Sequence, residues 1–199
     1  KGASCAASGT RRRTSSEDAT ATLWGVDDPV NPVTTVDLDD QESLGACVSR
    51  DGTRIAMVTK QGRGSDCFVR LFDDQALELW AFEMTERQYT ERHAFMTFGP
   101  DTAQLMVGSR STDSHYNPDA ALVCRYRVAD HDFLGYLGPR GRISSDYDRR
   151  VRVSEDGKRI FFMHSNGLDM MSTEPGRKLV YLPGLGESDG FDVTPDGSR

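Results

Sequence analysis

The residues able to do chemistry in this chain are few and scattered. His93, His115, His131 and His164 stand far apart in sequence, and isolated histidines of this kind read as surface or packing residues rather than ligands. Asp37, Asp39, Asp40 and Glu42 could offer oxygens to calcium, but their spacing does not match the twelve-residue calcium loop. A strand over 32–38 running into a solvated acidic turn explains them without metal. Cys5, Cys47, Cys67 and Cys124 form no C-x-x-C pair, and three of them fall in predicted strands, where a thiol behaves as a small buried hydrophobe. No Gly-x-Ser-x-Gly elbow, phosphate-binding loop or His-Glu-x-x-His helix is present. Neither catalytic residues nor a metal or cofactor site are therefore expected. Two places are candidates for contact with a partner. One is the polar loop 112–118 with His115 and Tyr116, since loops on rigid scaffolds carry function. The other is Trp80, on a predicted outer strand, which either marks a partner patch or packs inside.

The composition narrows the partners. The chain has 199 residues, 37% hydrophobic and 28% charged, with formal net charge −7 and pI near 5.1. That balance belongs to a globular protein and disfavours a broad nucleic-acid or anionic-membrane surface. Arg11, Arg12 and Arg13 are the one basic cluster, and their Ser/Thr-rich setting predicts a solvated hairpin loop. No apolar run is long enough for a membrane helix, so no membrane insertion is expected. Residues 1–18 hold no apolar stretch of the kind a signal peptide needs. With unpaired cysteines, this points to an intracellular location, cytoplasm or organelle interior.

The elements that must position these residues show themselves through repetition. The segments 48–57, 98–107, 153–162 and 193–199 each join an apolar run to an Asp-centred turn, three of them Asp-Gly, and the first three continue into a second apolar run. Asp and Gly supply the backbone angles of a tight hairpin. The structural turn residues are Asp51, Gly52, Asp101, Asp156, Gly157, Asp196 and Gly197; the four aspartates lie 50, 55 and 40 residues apart. Periods of about 40–50 residues with several strands each are the mark of propeller blades. The predicted architecture is all-β: complete four-stranded blades at 43–83, 94–137 and 149–182, and a fourth split between 190–199 and 1–38. A partial propeller cut from a longer chain fits equally. Alternation places Ile55, Met57 and Thr59 on one face and Phe68, Arg70 and Phe72 on another.

A second spacing supports this phase. Asp18 precedes Trp24 by six residues and Asp66 precedes Phe72 by six; Asp119 precedes Arg125 by six, with Tyr126 next. A carboxylate that satisfies turn donors, followed by a strand ending in an aromatic that fills space between blades, is what a third strand requires. Residues 18–24 and 66–73, ending in Trp24-Gly25 and Phe72-Asp73, resemble the Asp-led third strand and terminal Trp-Asp of the WD-repeat β-propellers, in divergent form. The Ser-x-Asp-Gly turns resemble that family's inner hairpin, and the likeness spans most of the chain. The family's Gly-His pair is missing, His93 being the only histidine near such a place, so its Asp–His–Ser–Trp network is not carried over. The resemblance implies a non-catalytic scaffold for protein–protein interaction, a structural subunit of a multi-subunit assembly. The alternative is an enzyme-associated propeller, a hydrolase cap or a lactonase-like channel. That alternative needs polar groups on inner strands, where Leu44, Ala46, Val48, Phe95, Thr97, Val151 and Val153 dominate and Arg150, Arg152 and Asp192 are the exceptions.

Overall fold

The computed structural model describes residues 4–8, 11–15, 20–25, 27–28, 30–38, 41–61, 66–84, 95–108, 123–137, 151–154, 158–164, 167–172 and 180–183. Among them the chain is all-β, in four antiparallel sheets of four strands. The first sheet holds β1 (Ser4–Ser8), β2 (Arg11–Ser15), β3 (Thr20–Gly25) and β4 (Pro32–Asp37). The second holds β5 (Gln41–Val48), β6 (Arg54–Gln61), β7 (Cys67–Asp73) and β8 (Glu78–Glu83). The third holds β9 (Phe95–Phe98), β10 (Gln104–Gly108), β11 (Val123–Arg127) and β12 (Phe133–Leu137). The fourth holds β13 (Val151–Val153), β14 (Arg159–His164), β15 (Gly167–Ser172) and β16 (Val180–Pro183). In every sheet each strand pairs with its neighbour in the chain. The first–second and third–fourth turns of a sheet therefore lie at the same end of it.

The first sheet corrects the loop expected at Arg11, Arg12 and Arg13. Residues 11–13 are strand rather than loop: Arg13 pairs with Ala6 on one side and Leu23 on the other. Among the described residues this sheet takes four strands from 4–37, with the strand over 4–8 at its edge. A strand between two others is defined by backbone groups satisfied on both edges, so a charged, non-alternating sequence can fill it. The expected contribution of 190–199 lies outside the described residues.

The second sheet is apolar on both faces, and this sets the packing. Along β6, Ile55 and Met57 join Ala46, Val48 and Phe72 against Ala21, Leu23, Val36 and Leu38 of the first sheet. Ala56 and Val58 point the other way, with Cys47, Cys67, Val69 and Leu71, against Met96, Phe98, Leu105, Val107, Cys124 and Tyr126 of the third. Fully burying a Val, Leu or Ile contributes about 1.5–3 kcal/mol each, and Ile55, Val69, Leu71 and Leu105 are all at 1% exposure or less. β1 and β2 lie against β5, and β5 and β6 lie against β9. Register also corrects the expected faces. Ile55 pairs with Phe72, Met57 with Arg70 and Thr59 with Phe68, so the two sets share one face. The guanidinium of Arg70 donates to Thr59 Oγ1 and lies over the Phe68 ring. Alternation within a strand gives two faces but not which face of the next strand matches; pairing register decides that.

Candidate functional site

The repeated turn is built around a serine hydroxyl. Ser49 is fully buried; its Oγ donates to Asp51 Oδ1 at 2.6 Å and accepts from Arg54 N at 2.9 Å. Asp51 Oδ1 also accepts from Thr53 N and Thr53 Oγ1, and Gly52 takes φ 72°. Burial pushes the Asp51 carboxyl up, but the bonds from Ser49 and Thr53 and the nearby Arg54 charge outweigh it and hold the group below its ordinary value. In the third sheet Gly99 stands in the serine's place and Thr102 takes the glycine's, at φ 59°. Asp101 still accepts from Ala103 N. In the fourth, Ser154 Oγ again accepts from Arg159 N, at 3.0 Å. Asp156, Gly157, Asp196 and Gly197 lie outside the described residues.

The hairpin and aromatic candidates occupy different settings. Phe72 is buried between the first and second sheets, and Tyr126 between the second and third. Trp24 is half-buried at an irregularity of β3 opposite Pro32. Asp66 is exposed, and its backbone carbonyl accepts from Gln61 N. Residues 62–65, which its carboxylate was expected to serve, lie outside the described residues, as do Asp18 and Asp119. So do His115, Tyr116, Asp39, Asp40, Arg150 and Asp192. Arg152 sits on β13 opposite Phe161.

Trp80 resolves to packing rather than a free patch. Its Nε1 donates to the Val128 carbonyl at 2.8 Å, tying β8 to the β11–β12 turn of the next sheet. Its ring meets Phe82 and His131, each with centroids 5.7 Å away. Phe82 packs on Tyr126 at 4.7 Å and stacks on His131, and Tyr126 meets Phe133. Outer strands offer one face to the neighbouring sheet, and a large amphipathic ring there can bury its body while its N–H finds an acceptor.

The sequence reading missed the third–fourth turns. In the first sheet Asp28 accepts from Val30 N, Asn31 N and Asn31 Nδ2, and these bonds hold its carboxyl below the ordinary range. In the second, Asp73 Oδ1 accepts from Gln75 N and Leu77 N, both at 2.9 Å. In the third, Arg127 bridges Asp130 and Asp132; its bond lowers the Asp130 carboxyl, and Asp130 in turn raises the guanidinium. The signal lay in the paired aspartates 27–28 and 73–74, with Val30 two residues and Leu77 three residues beyond them.

Every large exposed hydrophobic among the described residues stands at the start of a fourth strand or in the turn before it. These are Val30 and Val33, Leu77 and Leu79, Phe133, and Val180. Buried thiols lie elsewhere: Cys47, Cys67 and Cys124 are in no disulfide, and burial pushes Cys124 up to about 11, against a smaller opposing bond to Tyr126. Comparison with protein-family models and with curated proteins finds no match for this chain.

Proposed function

We propose that this chain is a β-propeller scaffold of divergent WD-repeat type that binds other proteins within a larger assembly. The observation that carries the reading is the repeated unit itself. Four-stranded meanders follow one another, and in the first three sheets the first strands lie side by side, with apolar faces sealed between them. That is how blades stack around an axis. Parts of one turn chemistry recur: the serine hydroxyl accepts from Arg54 N in the second sheet and from Arg159 N in the fourth, and Asp101 accepts from Ala103 N in the third as Asp51 does from Thr53 N, which fits a repeat copied along the chain. Such stacking fixes the strands and leaves turn ends and outer strands to carry contacts, the usual division of labour in scaffold folds. The apolar residues exposed at those ends favour binding over catalysis.

The test is the native mass of the protein from its source with partners retained. An assembly well above 22.1 kDa that contains other proteins supports the scaffold. A free monomer of the same mass as the denatured chain overturns it.

A further inference from the structure

We propose that the end of the molecule formed by the third–fourth turns is a docking face for a basic segment of a partner protein, one that alternates Lys or Arg with apolar anchors. This inference rests on the scaffold reading and names its face and partner class.

The face is defined by repetition of position. Leu77, 64% exposed, precedes β8; Phe133, 45% exposed, opens β12; Val30, 78% exposed, precedes β4. Each of these apolar side chains lies within two residues of the start of a fourth strand and stays open to water, Phe133 despite its ring contact with Tyr126, and exposure repeated at that place in successive sheets is not explained by folding. The second and third sheets present these positions together. The bond from Trp80 to the Val128 carbonyl, and the packing of His131 on Trp80 and Phe82, bring the β11–β12 turn against the start of β8.

Charge chooses the occupant. Residues 27–33 and 73–79 hold Asp27, Asp28, Asp73, Asp74 and Glu78 and no Lys or Arg. The 127–133 turn sets one arginine against Asp130 and Asp132, and Glu78 pairs with Arg70 from the neighbouring strand. The first–second turns at the same end add Arg50 and Arg54, the latter paired in register with Asp73, against Asp51 and Asp101, so the face is acidic on balance around apolar centres. A second copy of this chain would bring the same acidic turns and a net charge of −7, and like charges in an interface oppose association. Nucleic acid and anionic lipid are repelled for the same reason. A segment with cationic and apolar residues in alternation satisfies both features, its charges steering the encounter and its anchors supplying the contact.

The experiment measures binding of a short labelled peptide alternating lysine with leucine to the full chain, with the glutamate–leucine peptide as counterpart. The lysine peptide should bind, and more weakly as salt rises; the glutamate peptide should not. Leu77→Ser and Asp74→Asn should each weaken it about tenfold, more than most interface residues cost on truncation. Glu83→Gln, at the far end of β8, should leave it unchanged, and thermal melting of each variant controls for folding. Binding that ignores the face variants, or is absent, overturns the inference. Self-association of the chain alone that Leu77→Ser abolishes also overturns it, by making a second copy the occupant. A native assembly that persists unaltered with the face variants would sink this face and leave the scaffold standing; loss of any assembly in the wild type would sink the scaffold itself.

Discussion

Ser49→Ala tests whether the repeated turn is held by its buried hydroxyl. The hydroxyl serves two partners: it donates to Asp51 and accepts from Arg54 N. Alanine leaves the Arg54 amide without that acceptor at a partly buried site, a loss of about 1–2 kcal/mol. The bond to Asp51 is charge-assisted, but the aspartate is open to solvent, which holds that share to roughly 0.5–1 kcal/mol. Together the change should cost about 2 kcal/mol, or roughly 4–8 °C in Tm for a chain of this size. Urea unfolding should show a lower midpoint with an unchanged slope.

The same variant has a pH signature. Asp51 is held below its ordinary pKa in the folded protein. Its contribution is therefore present above the unfolded value, about 3.9, and disappears as pH falls through the folded value. The stability gap between wild type and Ser49→Ala should be widest near neutrality and narrow in acid as Asp51 takes up its proton. A neutral-pH loss below about 0.5 kcal/mol, smaller than one typical hydrogen bond, would refute the role of the hydroxyl. A gap that stays constant into acid would refute the role of Asp51.

Three further outcomes follow from other sites. Thr102 is β-branched yet sits at φ 59° where Gly52 has φ 72°, so Thr102→Gly should stabilise by about 0.5–1 kcal/mol after the entropy of glycine is counted, read as a raised urea midpoint. Trp80→Phe keeps a ring but removes the donor to Val128 and should cost about 1 kcal/mol, with protection from hydrogen exchange falling first at the β11–β12 turn. Cys47, Cys67 and Cys124 are buried, and Cys124, pushed up to about 11, carries almost no thiolate at mildly alkaline pH. Brief iodoacetamide treatment should leave these three unmodified in the native protein and alkylate them in urea, as peptide mass spectrometry would show.

How much of this was legible depended on the range of the physics involved. The Asp-Gly turns were readable because their chemistry is local: Ser49, Asp51, Gly52 and Thr53 sit within five residues and solve their own hydrogen bonding. The Thr102 turn shows the limit. It reaches the same left-handed angle without glycine, because the strands on either side close it through Gly99 N to the Gln104 carbonyl. β2 was illegible for the opposite reason. Its residues show no alternation, and only pairing with β1 and β3 makes them a strand. The shared face of Ile55 and Phe72 needed register, which no single strand encodes. Trp80 could be read either way until Val128, 48 residues on, supplied the acceptor.

The two kinds of turn divide folding from recognition in a way single residues can separate. The first–second turn turns its chemistry inward: Ser49 is buried, and a change there acts through stability. The third–fourth turn uses one carboxylate, Asp73, to satisfy Gln75 N and Leu77 N, and holds Leu77 out to solvent beyond it. Asp73→Ala should therefore loosen the turn, at a cost of about 1 kcal/mol typical of a lost cap, and displace Leu77 along with it. Leu77→Ser removes only the exposed side chain and should leave stability within about 0.5 kcal/mol of wild type. If both variants lost binding but only Asp73→Ala lost stability, the turn would be a device for presenting the leucine. Equal stability losses would instead assign Leu77 to the core and remove the apolar centre from the face.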